Sequence, residues 1–205
     1  MTRTDPALSG VSLALLDIRN IHDGWWQFVQ PELSGAPGLR EWLFASERGR
    51  ARMATRLYDR LKMQPKLLDR GSAAAQVLAM GSDAWTRLLY RLGVIWNGRS
   101  VARTIDRAAV AEIVQRIGTS GYQRCLDCPD LWGTQTPPAT ASQLMQSLPL
   151  DGALCMKHWI SCQPAYLKEL SFLRLDPEIV ALPSPTSDVV DRACSIVTRE
   201  VSADG

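Results

Sequence analysis

The sequence predicts an all-α fold, a compact single-domain helical bundle of irregular topology, on three observations. Apolar residues recur at helical spacing wherever a pattern is legible, no alternating run is long enough for a useful strand, and proline or glycine stands where several helical runs end. With 205 residues, 46% hydrophobic and 21% charged, the chain is long enough to bury one core, so a single domain over 1–205 is expected.

Taken in order, residues 1–7 are expected to be a flexible N-terminus, followed by a short helix over 8–18 and a turn through 20–24. An aromatic helix starts at Trp25 and is interrupted by Pro31, and Leu39, Trp42 and Leu43 mark another helical turn. The next helix is better defined: Met53, Leu57 and Leu61 form its apolar line, Ala54 and Tyr58 widen it, and Pro65 helps end it. Residues 73–80 are short, small and apolar.

The segment 83–105, DAWTRLLYRLGVIWNGRSVARTI, carries the strongest helical signal. Trp85, Leu88, Leu89, Leu92, Ile95 and Trp96 lay one broad stripe along it, with Asp83 as the expected N-cap. Gly93 inside this helix costs roughly 1 kcal/mol against alanine, which points to a closely packed neighbour or a kink there. Asp106 then caps a helix whose Val110, Ile113, Val114 and Ile117 face inward, with Gly118 as its C-cap. Residues 127–141, DCPDLWGTQTPPATA, read as a surface loop. Helices follow over 154–162 and 166–175, with Pro164 between them leaving a kink rather than a clean break. Residues 176–188 read as a second surface loop, 189–201 as a last short helix and 202–205 as a flexible tail.

Composition narrows the function classes. No run of about 18 uncharged apolar residues exists to span a bilayer. The apolar stretch 11–16 is short, with Asp5 ahead of it and Asp17 directly behind, a poor signal peptide, so a cytoplasmic location is expected. Five cysteines, an odd number, then argue for reduced thiols. A net charge of +2 is too mild to imply nucleic acid. Its distribution is uneven, however: residues 40–70 hold nine basic side chains against four acidic, and residues 151–205 hold five against eight.

Four patterns bear on chemistry. Gly93, Gly98, Arg99 and Ser100 reproduce the spacing of a phosphate-binding loop with arginine in place of lysine, but the preceding run is helical and the loop positions are bulky, so packing is the better reading. Cys125 and Cys128 stand in C-x-x-C spacing, and Cys155, His158 and Cys162 share a helical face at i, i+3 and i+7; together they offer a candidate zinc set, against which stands the ordinary burial of cysteine in cores. The C-x-x-C lacks the βαβ context of a redox motif, and with only His22 and His158 present, catalytic schemes that need histidine have few places to sit. Arg48, Arg52, Arg56 and Arg60 fall at i+4 steps; like charges so spaced repel by a few tenths of a kcal/mol per pair, so the row suits an acidic partner surface or else is simply solvated. Seven tryptophans are many for this length, and the Trp25–Trp26 pair and Trp132 in its polar loop are the expected partner contacts.

Three segments resemble a known family. Residues 88–105, L-L-Y-R-L-G-V-I-W-N-G-R-S-V-A-R-T-I, with Leu88, Leu89, Arg91, Leu92, Gly93 and Gly98 as the shared positions, are similar to a family motif L-L-x-R-L-G followed by a second glycine and a helix. Residues 20–28, N-I-H-D-G-W-W-Q-F, and 159–175, W-I-S-C-Q-P-A-Y-L-K-E-L-S-F-L-R-L, resemble its early histidine–tryptophan turn and its late leucine-rich helix. The family is the SctK group of sorting-platform proteins of bacterial type III secretion systems, which includes the YscK and NolU types. The resemblance implies a non-enzymatic all-α adaptor without a cofactor, lying at the cytoplasmic face of the inner membrane in a system serving virulence or symbiosis. It would link the SctQ pod protein to the cytoplasmic domain of the ring protein SctD and, through SctQ, reach SctL and the ATPase SctN. The five cysteines depart from the family, which does not depend on a metal site. The alternative from a different class is a zinc-containing regulatory or nucleic-acid-binding protein built on the cysteine and histidine set.

Overall fold

A computed structural model of the chain describes residues 11–13, 17–60, 62, 67–69, 72–104, 106–133, 140–183 and 185–203. The all-α class holds: the described residues are dominated by helices, and their only strands are β1 (Val11–Leu13) and β2 (Leu67–Asp69), a three-residue antiparallel pair. Where the sequence suggests one domain, the chain groups into two compact units, each assembled from two separate stretches. Unit 1 comprises residues 1–80 and 164–180, and unit 2 comprises 81–163 and 181–205.

Unit 1 begins with β1 and 3-10 turns at Ile18–Asn20 and Asp23–Trp25. The helix expected over 8–18 is therefore not formed at its described positions: the β-branched start of β1 pairs with β2, and Asp17 caps the first turn by accepting from the Arg19 N–H. Then come α1 (Trp26–Val29), α2 (Pro31–Ser34), α3 (Pro37–Ala45), α4 (Glu47–Arg60) and α5 (Ala73–Ala79). Pro31 opens α2 at its first position, where its missing N–H costs nothing. Met53, Leu57 and Tyr58 of α4 are buried as its periodicity requires, while Leu61 and Pro65 lie outside the described residues. After an excursion through unit 2 the chain returns as α11 (Ala165–Phe172), and most of α12 (Pro177–Ala181) also belongs to unit 1.

Arg174, just past α11, is almost fully buried. Its guanidinium donates to the carbonyls of Val77, Leu78 and Met80 at the C-terminal end of α5, where Asn20 also donates to Met80. A cation on the last carbonyls of a helix satisfies acceptors that the helix cannot. Burial lowers the Arg174 pKa to about 10, partly opposed by Asp17, and it stays charged.

Unit 2 holds α6 (Ser82–Trp96), α7 (Gly98–Arg103), α8 (Arg107–Ile117), α9 (Thr119–Leu126), a 3-10 turn at Pro129–Leu131, α10 (Ala141–Ser161) and α13 (Ser187–Ala203). Its centre is the α6–α10 pair, against which α13 also packs. Trp85, Leu88, Leu92, Ile95 and Trp96 are buried as the stripe predicts, and Asp106 and Gly118 cap α8 as expected, Gly118 with φ 77°. The N-cap of α6 is Gly81 rather than Asp83, which stands in the first turn where a carboxylate meets the positive end of the helix.

Gly93 neither ends nor interrupts α6. A Cβ there would lie 1.8 Å from the carbonyl oxygen of Leu148, and a Cβ on Gly152 would lie 1.7 Å from that of Leu89. Each helix thus carries a glycine four residues after a leucine, and each glycine receives the other helix's leucine carbonyl in an antiparallel embrace. Small residues at such crossings let backbones approach and carbonyls meet Cα–H groups.

Three boundaries differ from expectation. α10 starts at Ala141, capped by Thr140, and runs through Pro149, because one missing N–H in a well-packed helix does not end it. Pro164 makes a clean break, since α10 stops at Ser161 and Pro164 serves as the N-cap of α11. The expected loop over 176–188 contains α12 and the first residues of α13; Asp176 accepts the Glu178 N–H, an arrangement that starts a helix. Residues 134–139 of the other expected loop and residues 1–7 lie outside the described residues, and the expected tail begins inside α13.

Candidate interaction surface

The α3–α4 corner of unit 1 presents Trp42, the most exposed large apolar side chain of the described residues, and α4 carries the arginine row. The corner is tightly built. The Gly49 N–H donates to the Ser46 hydroxyl, a Cβ on Gly49 would lie 2.0 Å from the Leu43 carbonyl oxygen, and Arg50 donates to the Phe44 carbonyl at 2.7 Å. Arg40 pairs with Asp23 at 2.9 Å, and Phe44 packs against Trp26 with ring centroids 5.4 Å apart. These contacts fix α3 from below and turn Leu39 and Trp42, three residues apart on one face, to solvent with 47% and 71% exposure. Phe28 on α1 is 56% exposed.

Arg48, Arg52, Arg56 and Arg60 are all exposed on α4, and no ion pair forms to any of them among the described residues. Arg56 and Arg60 border an open polar groove with Gln30, Glu32 and Asp59. A large, mostly exposed indole on α3 and a row of exposed cations on α4 have the composition of an interface anchor with a charged rim.

Of the three tryptophans expected to meet partners, one lies in the core and two are half-buried. Trp26 is a core residue, 1% exposed. Trp25 is half-buried, and its indole N–H donates to the Leu175 carbonyl at 2.8 Å. Trp132 is half-buried, lying on Gly98, where a Cβ would fall 2.1 Å from the indole; its N–H points to the Cys125 carbonyl and its own carbonyl accepts from Arg192. Gly98 thus has a packing role and opens α7, so the phosphate-loop spacing is carried by two helices rather than by a cradle. Helical spacing marked residues 39, 42 and 43 as one turn but gave no sign of which way Trp42 points.

The five candidate zinc ligands do not converge. Cys125 and Cys128 are buried with separate partners, the carbonyls of Arg91 and Arg124, and burial pushes the Cys125 thiol up to about 12 and raises that of Cys128. Cys155 is fully buried, its thiol raised chiefly by burial, whereas Cys162 is exposed. Among the described residues no three His, Cys, Asp or Glu side chains stand together as a metal would need. His158 and Cys155 instead line a cavity of about 270 Å³ with Trp96, Asp151 and Leu182, where the Asp151 carboxylate accepts from Asn97 at 2.8 Å. Burial, and then the charge of Lys157, lower the His158 pKa. A buried thiol so raised is a poor nucleophile at neutral pH.

Of the shared motif positions, Leu88, Leu92 and Gly93 are buried and Leu89 lends its carbonyl to Gly152. Arg91 reaches Glu200 of α13 at 3.4 Å, and Arg124 of α9 reaches the same carboxylate at 3.7 Å. Glu200 is 0% exposed, so a buried charge cluster ties three helices of unit 2. Nothing in the local sequence around Glu200 separates it from an ordinary surface glutamate on an amphipathic helix.

No family model, curated protein or solved structure matches this chain. No helix among the described residues is long and apolar enough to cross a membrane.

Proposed function

We propose that the chain is a non-enzymatic adaptor that binds partner proteins through the α3–α4 corner of unit 1. The observation that carries this reading is Trp42, a 71% exposed indole on a corner held from beneath, with four exposed arginines along the helix that follows. A rigid aromatic anchor loses little conformational entropy on binding, and an arginine row steers an acidic partner toward it.

The specific assembly we propose is the type III secretion sorting platform, with this chain in the SctK position between the SctQ pod protein and the cytoplasmic domain of SctD, and SctL and the SctN ATPase reached through SctQ. That position places it at the cytoplasmic face of the inner membrane. The three resembling segments support this assignment. The test is co-purification of the full chain with the SctQ protein and the cytoplasmic SctD domain of the same organism. A stoichiometric complex weakened by Trp42→Ala is the expected result. Absence of binding to both proteins overturns the assembly, and binding indifferent to Trp42→Ala overturns the surface.

A further inference from the structure

We infer that Cys162 and Cys194 form an oxidisable dithiol in unit 2, a modification site at which a hydroperoxide converts the pair to a disulfide joining α10 to α13. Cys162 follows α10 as its C-cap residue and Cys194 lies within α13. These helices pack against each other, and the Cys194 thiol points at the Cys162 sulfur at 3.5 Å. A bond requires the sulfurs to close to about 2.05 Å, a shift of roughly 1.5 Å that rotation of two side chains can supply.

The other three cysteines are buried, while Cys162 is exposed and Cys194 half-buried, so a small oxidant reaches this pair before any other thiol. The pair divides the chemistry. Cys194 donates its S–H to Cys162 and is pushed up to about 12, by burial first and then by that hydrogen bond, so it stays a thiol until its neighbour has reacted. The Cys162 thiolate attacks the peroxide: one S–O bond forms, the O–O bond breaks, and the departing oxygen leaves as water after taking a proton. Cys194 then attacks the sulfenic sulfur, and the hydroxyl leaves with the Cys194 proton as a second water. In total, two thiols and one hydrogen peroxide give one disulfide and two waters.

Nothing in this inference depends on the proposed adaptor role. The experiment treats the reduced full-length protein with hydrogen peroxide, quenches it, and maps non-reduced peptides by mass spectrometry, with the unfolding midpoint read before and after dithiothreitol. The expected result is a Cys162–Cys194 linked peptide, free thiols at Cys125, Cys128 and Cys155, and a midpoint raised by oxidation and restored by reductant. Cys194→Ser leaves Cys162 as a sulfenic acid trapped by dimedone, whereas Cys162→Ser leaves Cys194 unreacted. Cys155 is the competing outcome, because it lies near enough to Cys194 for its thiol to be affected. A Cys155–Cys194 link, a link between two chains, or Cys162 carried to the sulfinic acid while Cys194 stays free overturns the inference.

Discussion

The α6–α10 pair of unit 2 and the α3–α4 corner of unit 1 are built from the same materials, helices carrying tryptophan, leucine and glycine, and they end in opposite states. On α6, Trp85 and Trp96 are buried and Gly93 lies against a leucine carbonyl. On α3, Trp42 and Leu39 face solvent, and a Cβ added to Gly38 would meet nothing within 4 Å. Helical spacing of large apolar residues therefore locates a helix without saying whether its apolar side has a partner in the same chain. The reciprocal glycines mark the difference, because a glycine in a helix interior is unfavourable unless a neighbour needs the space.

The sharpest way to break this contrast is to fill the crossing. Gly152→Ala and Gly93→Ala should each destabilise unit 2 by about 3 kcal/mol or more, since the obstacle is backbone and cannot rotate away. Urea unfolding reads this directly, and wild-type midpoints would mean that the helices stand further apart than described. By contrast, Gly38→Ala should be neutral or raise stability by about 0.5 kcal/mol.

Next in size is the buried charge that ties α13 to α6 and α9. Glu200→Ala should cost about 3 kcal/mol, because it strands Arg91 and Arg124 without their shared carboxylate. A loss below about 1 kcal/mol would place those arginines in water.

A smaller effect concerns acid. The His158 pKa is depressed below the ordinary 6.5, so the folded protein binds fewer protons than the unfolded chain once pH falls through that value. This histidine's contribution is therefore constant above the ordinary value and is lost progressively as pH drops from there toward the lower folded value. The stability difference between His158→Phe and wild type should shift in the variant's favour across that window. A difference independent of pH would mean that His158 titrates normally.

The exposed corner gives the smallest stability changes. Trp42→Ala, or Arg52→Glu with Arg56→Glu, should move stability by about 0.5 kcal/mol or less, while Trp42→Ala weakens partner binding by about 2 kcal/mol. A large loss of stability in Trp42→Ala would return that indole to the core and remove the contrast.

Much of unit 2 was legible in the sequence. The stripe on α6, the Asp106 cap and the Gly118 C-cap are set by neighbours within a few residues, which is the range that periodicity and capping rules cover. What escaped depends on partners distant in the chain. Cys125 and Cys128 look like ligands by spacing but turn to separate carbonyls, and Arg174 looks like a surface residue until α5 is found 94 to 97 positions away. Pro149 and Pro164 show the same limit from the other side: the chain passes through one and stops before the other, and only packing separates the two cases. The arginine row was read correctly as exposed, whereas Trp26 was placed at the surface because adjacent tryptophans do not disclose which of them turns inward.

The discontinuous make-up of unit 1 has a consequence for biosynthesis. Arg174 closes the carbonyl end of α5 from a position 94 residues beyond Met80, and α11, which packs on α5, is made just before it. At about 5–20 residues per second, a ribosome needs roughly 5–20 s to travel that distance. During that interval the nascent N-terminal helices lack their closing element while the first stretch of unit 2 is already emerging. The half-built unit 1 is then a natural client for a chaperone, and truncating the chain before residue 174 should leave it in that condition permanently.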